Sequence, residues 1–400
     1  MMNSALYRES RLARSEQVDE TTRIQVAIHP LPFTAQQELF VGSFISLFAA
    51  LSILVAFSFI PASYAVFIVR EREVSAKHQQ LISGVSIWAY WASTYVFDMT
   101  TYMVPCFLTI AVIAAFDIEQ FIDTADQRLA GLLLLFITYG LSVSAFTYCL
   151  TYLFKSFTAA LVSVLALNIF AVILMIASFV MDKIKATCRE DRVLRYFYRL
   201  VPGFALGNGL LNLSFLDQLA LLDRICDAQH NPDTDFGTLD DYKALDWMAL
   251  GANIWMMLIE AVLYFCIAVG IDYIQANPAL LRMCSLESTE APPPAKHVDQ
   301  DVRREEERVK PLKGEGSDDM LVVKDIRKCY AGGKHAVRGV SFGVPIGNVF
   351  ALLGINGAGK SSTFKMLSGD TVPTAGSAMV AGYDVVDQQM DVRRLLGYCP

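Results

Sequence analysis

Four hundred residues with 54% apolar and only 18% charged side chains, at a formal net charge of −7, do not describe an ordinary soluble enzyme, in which charged residues make up about a quarter. Mean hydropathy is positive as well. The apolar surplus lies in runs that organise the chain, and no nucleic acid is expected among its partners.

Residues 1–37 mix "YRESRLARSEQVDE" with "IHPLPFT", hold no classical signal peptide, and are expected to be the end of an exoplasmic polar region. Between Glu38 and Arg70 lie 31 consecutive uncharged residues, enough helix to cross a bilayer that needs about 20. Similar runs recur at 129–154 and 156–181 and, with one internal acid each, at 88–116 and 247–271. This recurrence sets aside a single buried helix of a soluble domain. Backbone polar groups in lipid must be paired within their own segment, so five spans (39–69, 88–116, 129–154, 156–181, 247–271) are expected as helices of a transmembrane domain over 38–275. Pro61 and Pro105 are expected to kink the first two. Asp98 is expected near the headgroups, after the interfacial aromatics of "WAYW".

The connection "REREVSAKHQQLISG" is charged and amphipathic, and reads as a helix along the membrane face that receives force from an attached motor, or as a solvated loop. Its Arg70, Arg72 and Lys77 favour the cytosol, while Asp117, Glu119, Asp123 and Asp126 place the next connection outside, and Lys155 lies inside again. The stretch from Asp182 to Arg199 disagrees, because it carries six Lys or Arg residues yet five-span parity puts it outside. The run 200–216, "LVPGFALGNGLLNLSFL", is short for a crossing and reads as a helical hairpin, about 198–222, that dips into the outer leaflet. Cys188 and Cys226 share that exoplasmic loop, where a disulfide is permitted, although cysteines in apolar surroundings are more often small hydrophobes. "NLS" at Asn212 matches a glycosylation sequon that a membrane-dipping position would hide. Glu260 sits within "WMALGANIWMMLIEAVLYFCIAVG", where a carboxylate must be paired, protonated or facing a wet cavity. A hydrogen bond to Asn168 or Asn253 is the preferred reading over a lateral substrate surface or coupling contact.

Residues 276–319, with "STEAPPPAKHVDQDVRREEERVKPLKGEGSDD", are too polar to pack and read as a flexible cytosolic tether, the "RREEER" run being solvated. From residue 320 the texture becomes strand-like: "MLVVKDIRKCY", "HAVRGVSFGVP" and "GNVFALL", the last feeding into "GINGAGKSST". There Gly354, Gly357 and Gly359 let the backbone N–H groups of Gly354, Ile355, Asn356, Gly357, Ala358 and Gly359 wrap phosphates. Lys360 reaches the β and γ phosphates, Ser361 holds Mg2+ through its hydroxyl, and Ser362 follows. The helix that begins there adds its N-terminal field to the same anion. A plain glycine turn in a strand–helix unit is the weaker reading. Tyr330, 24 residues before Gly354, offers a face to adenine.

These segments, with "SGDTVPTAGSAMVAGYDV" and "RLLGYCP", resemble the nucleotide-binding domain of ATP-binding cassette transporters, within them the subfamily A lipid exporters. "REREVSAKHQQLISGVSIWAYWASTYVFDMTTY" and "LVPGFALGNGLLNLS" are similar to that subfamily's second transmembrane domain. The resemblance implies a polytopic α-helical membrane domain joined to a truncated α/β P-loop domain over 320–400, with ATP and Mg2+ as cofactors. Tyr330 matches the adenine-stacking aromatic, and residues 71–80, with Glu71, Arg72, Glu73, Lys77, His78 and Gln79, match the coupling helix. It further implies ATP-driven export of membrane lipid by a parent protein whose second transmembrane and nucleotide-binding half lies in the same polypeptide. The glutamine loop, signature sequence, catalytic acid and switch histidine of the family are not among these residues; "LSGD" at 367–370 looks like a signature in the wrong place. The chain alone is therefore expected not to hydrolyse ATP. The rival expectation is a non-catalytic membrane protein with a vestigial nucleotide loop, acting through association with other membrane proteins.

Overall fold

In a computed structural model, five helices among the described residues are long and apolar enough to cross a membrane: Leu47–Glu73, Ile87–Ala115, Arg128–Thr151, Phe157–Asp182 and Trp247–Ala276. The structure describes residues 35–397 apart from 117, 123–125, 185, 218, 220–225, 227–241, 277–298, 313–317 and 331–332; the side chains of 35–46, 119 and 183 are not described either. Met1–Leu47 and Phe48–Pro400 separate as two units. Of residues 1–37, read as an exoplasmic end, 1–34 lie outside the described residues and 35–37 begin a helix. The packed helices and the strands lie in the second unit.

The helices in chain order are α1 (Ala35–Glu73), α2 (Ala76–Ile82), α3 (Ile87–Ala115), α4 (Glu119–Ile122), α5 (Arg128–Thr151), α6 (Phe157–Lys183), α7 (Cys188–Tyr198), α8 (Pro202–Ser214) and α9 (Ala252–Ala276), the last preceded by a wide turn at Trp247–Gly251. Side-chain caps start α3 and α6: Ser86 accepts from the Ala89 N–H and Ser156 from the Ala159 N–H. Both α1 and α3 continue as helix through Pro61 and Pro105.

α5 is the central helix, with Leu132, Leu135, Phe136, Tyr139 and Tyr148 all buried. Gly140 makes that packing feasible. A Cβ there would lie 2.5 Å from Tyr102 Cδ1, so only glycine lets the α3 tyrosine lie against α5 and donate to the Phe136 carbonyl at 2.8 Å.

One expectation about polar groups in the membrane is corrected and one gains a partner. Asp98 is buried within the bundle, where the Tyr148 hydroxyl donates to its carboxylate at 2.6 Å; the corrected one is Glu260. Glu260 accepts from Ser142 at 3.2 Å and from neither asparagine. Asn168 donates to the Val164 carbonyl, and Asn253 joins Arg199 to Asn208.

The run read as a leaflet-dipping hairpin contains α8, every residue of which is buried by protein. Its glycines provide close helix contact. A Cβ at Gly207 would meet Met175, and one at Gly209 would meet Leu135. The hairpin's second arm falls largely outside the described residues. Asn212 is buried and donates to the Met248 and Ala249 carbonyls, so protein rather than lipid encloses the sequon. Cys188 and Cys226 are joined by a disulfide.

Beyond α9 come α10 (Gln300–Val309), β1 (Asp319–Tyr330), β2 (Lys334–Pro345), α11 (Lys360–Leu367), β3 (Ala375–Val380), β4 (Tyr383–Asp384) and α12 (Gln389–Leu395). The strands form an antiparallel sheet in the order β2-β1-β3-β4. Val323, Ile326, Val337, Phe342 and Ala378 of the sheet pack with Met366 of α11 and Val392 of α12.

Two more expectations change here. Part of the tether, α10, is docked: Glu305 accepts the N–H of Gly343 on the edge strand β2, and Arg308 pairs with Glu305 and Asp319. Two of the six charges that read as solvated, Glu305 and Arg308, thus pair at a strand edge, while Arg303, Arg304, Glu306 and Glu307 are exposed as expected. "GNVFALL" forms no strand, because none of the described strands pairs with it in the sheet, although Phe350 stacks on Phe342 of β2; Val349 is 99% and Leu353 87% exposed.

Candidate nucleotide site and its contact with the membrane helices

The glycine loop runs into α11, whose first residue is Lys360. Gly357 and Gly359 take left-handed backbone angles of 84° and 91°, and a Cβ on Gly359 would run into the Ala336 carbonyl oxygen. Glycine is therefore required both by conformation and by the approach of β2. The Lys360 ammonium folds back over the loop, donating to the carbonyls of Gly354 (2.5 Å) and Ile355 (2.9 Å). Ile355, Asn356, Gly357, Ala358 and Ser361 are exposed beside it. The donor set of loop amides, one ammonium and the hydroxyls of Ser361 and Ser362 at a helix start fits a polyphosphate with its Mg2+. Tyr330, at the end of β1, gives its hydroxyl to Ser362 at 3.3 Å, so it stands beside the same helix start.

The other end of α11 faces the membrane domain. Ser368 Oγ lies 3.5 Å from His78 Nε2, and Asp370 lies 3.7 Å from His78 Nδ1 and 3.3 Å from Lys365. Burial holds the His78 pKa below its ordinary value against the pull of Asp370, and the charges of Arg393 and Lys365 act the same way as burial. "LSGD" is thus the segment that meets α2.

The residues expected together on a coupling helix divide between two elements. Glu71, Arg72 and Glu73 end α1, and Ser75, in a left-handed conformation, turns the chain before α2 begins at Ala76. Arg72 donates to the Thr151 carbonyl and lies over the Tyr152 ring, and Glu73 accepts from the Phe157 N–H. Glu71 accepts from Gln80 and from the Tyr90 hydroxyl. Lys77 points away from His78, into a buried ion pair with Asp272 on α9. The Gln79 backbone carbonyl accepts from Ser83.

The sequence pointed to no role for Asp272 or Arg393, and to Ser368 and Asp370 only as part of "LSGD". Asp272 directly follows the final apolar run, which was its one available signal.

Residues 1–269 match the family described as "ABC-2 family transporter protein", and residues 337–400 match that described as "ABC transporter". Among curated proteins, "ATP-binding cassette sub-family A member 7" of Rattus norvegicus is 32% identical over 93% of the chain and 16% of its own length. "Retinal-specific phospholipid-transporting ATPase ABCA4" of Mus musculus is 33% identical over 88% of the chain and 14% of its own. "ATP-binding cassette sub-family A member 2" of Homo sapiens is 30% identical over 100% of the chain and 16% of its own. The chain thus spans about one sixth of the length of these relatives.

Proposed function

The chain belongs to the ATP-binding cassette transporters, with relatives in subfamily A, and we propose that it is one membrane-plus-nucleotide half of an ATP-driven lipid exporter. The observation that carries this reading is the position of α11, which starts at the phosphate loop and ends against α2, the short helix between the first two spans. Nucleotide at one end of α11 is then felt at the membrane helices through its other end. ATP with Mg2+ would be held by the loop amides from Gly354 to Gly359, by Lys360 and by Ser361, with Tyr330 against adenine. When bound, it supplies the free energy of phosphoanhydride cleavage, and a second half in the full-length polypeptide supplies the rest of the hydrolytic site.

In the corresponding topology, α2, the α5–α6 turn and residues 277–397 face the cytosol, and the disulfide loop faces the exoplasm. Two of the six basic residues of 182–199 are neutralised or buried and so weigh less against it. Arg195 is paired with Asp182 and Asp191, and Arg199 is buried against Asn253. Phospholipid is the proposed cargo, on the strength of relatives whose names carry phospholipid transport.

The test is ATP-dependent movement of fluorescent phosphatidylcholine by the full-length protein in phosphatidylcholine vesicles. Movement that stops in Lys360→Ala supports the reading. Movement indifferent to ATP, or to that substitution, rejects it.

A further inference from the structure

Resting on the transport reading, we propose that Lys77 and Asp272 are a positioning pair that carries movement of the nucleotide domain into the last membrane helix. α1 and α3 are joined to α2 by the chain itself, so any displacement of α2 reaches them. α9 is not adjacent to α2 in the chain, since Asp272 lies 195 residues beyond Lys77. The ion pair is the contact by which α2 itself holds α9.

Its construction suits that task. The Lys77 ammonium meets Asp272 Oδ1 at 2.8 Å, with both side chains more than nine-tenths buried. Trp91 Nε1 donates to the other carboxylate oxygen at 2.9 Å. The ammonium also stands over the Tyr90 and Trp91 rings, 4.4 and 4.7 Å from their centroids. Separating such a pair would strand an uncompensated charge in a dry site, so α2 and the end of α9 move together rather than apart.

Side chains of successive helical residues diverge by about 100°. His78 therefore turns towards Ser368 and Asp370 while Lys77 turns towards α9. Consecutive residues of one short helix touch the nucleotide domain on one face and the last span on another. On the far side of the same junction, Arg393 of α12 donates to the carbonyl of Ala276, where α9 ends, at 3.4 Å. The end of α9 is thus gripped by the nucleotide domain directly and, through α2, indirectly.

The experiment compares the full-length protein with Lys77→Met, Asp272→Asn, Trp91→Phe and the exchange Lys77→Asp with Asp272→Lys, in phosphatidylcholine vesicles. ATP hydrolysed and fluorescent phosphatidylcholine moved are measured together. Hydrogen exchange over residues 268–276 is measured with and without ATP. The expected result is that Lys77→Met and Asp272→Asn keep hydrolysing ATP but move at least about fivefold less lipid per ATP, the lower end of ordinary coupling effects. The charge exchange recovers part of that loss, and the ATP-dependent change in exchange at the end of α9 disappears in the single variants.

Trp91→Phe keeps an aromatic ring, though a smaller one, and the ion pair but loses one hydrogen bond, so it should show a smaller fall in the same ratio even if the charge variants do not fold. Hydrolysis and lipid movement falling in equal proportion, or unchanged lipid per ATP in Lys77→Met or Trp91→Phe, overturns the inference and leaves the transport reading standing. If the unsubstituted protein moves no lipid, that reading fails by itself. The inference then stands or falls on whether ATP alters exchange at 268–276 in the unsubstituted protein and not in Lys77→Met.

Discussion

Replacing Cys188 and Cys226 together by serine opens a covalent loop whose ends are 38 residues apart. In the chain-entropy account, closing 38 residues restrains the unfolded chain by about 4 kcal/mol at 25 °C. Both cysteines are buried, so the serine hydroxyls add to the cost rather than offsetting it. For a folding unit of about 200 residues, each kcal/mol moves the midpoint by roughly 2–4 °C, which sets the expected fall at about 10 °C. The assay is thermal unfolding of detergent-solubilised protein followed by tryptophan fluorescence, with and without a membrane-permeant thiol reductant. Reductant should lower the midpoint of the unsubstituted protein and leave the double serine variant unmoved. Equal midpoints throughout, or maleimide labelling of Cys188 without prior reduction, would refute the reasoning. Since the bond persists only in an oxidising compartment, protection of Cys188 in intact cells also reports which side of the membrane this loop occupies.

Three further outcomes are expected. Tyr148→Phe removes the hydroxyl that meets Asp98 at 2.6 Å inside the bundle, and should cost about 1.5–3 kcal/mol in reversible unfolding; a midpoint matching the parent would contradict it. Because burial lowers the His78 pKa, the unfolded chain takes up the proton first. The contact of α2 with Ser368 and Asp370 is then fully favoured above the ordinary histidine value of 6.5 and weakens as pH falls below it. Hydrogen-exchange protection factors over 365–370 should fall between pH 7.5 and 5.5, and His78→Gln should flatten that dependence; a pH-independent protection factor in the parent would count against it. Glu305 is held below the usual carboxylate range first by its bond from Arg308, so its hold on β2 is fully present above that range and is lost as pH falls below it. Limited proteolysis across α10 at pH 3.5 against pH 7 should show the release, and equal cutting rates would argue against it.

The membrane helices and the phosphate loop were legible in the sequence because their surroundings restrict composition. Lipid excludes charge over a whole span, and phosphate demands glycine, lysine and hydroxyl at set spacings. What was not legible depends on pairings distant in sequence. Ser142 rather than an asparagine meets Glu260, 118 residues away, and Lys77 and Asp272 stand on helices that no local pattern connects. α8 read as membrane-dipping because an apolar, glycine-rich run has the same composition whether lipid or other helices surround it; the buried contacts of Gly207 and Gly209 decide for helices. α10 read as tether since its charges exceed its apolar residues, yet Glu305 and Arg308 spend theirs on the edge of β2. "GNVFALL" has the composition of a buried strand, but composition does not provide the neighbouring strand that would pair it.

The central claim is that the loop from Gly354 to Ser361, on the cytosolic side, grips the phosphates of ATP. It is tested most directly by photo-crosslinking a radiolabelled azido-ATP to the full-length protein in sealed inside-out and right-side-out membrane vesicles with Mg2+ present. Labelling confined to inside-out vesicles, competed by ATP and weakened at least about tenfold in Lys360→Ala, is predicted from the loss of a charged hydrogen-bond donor. Labelling from the exoplasmic side, or labelling that Lys360→Ala leaves unchanged, would contradict it.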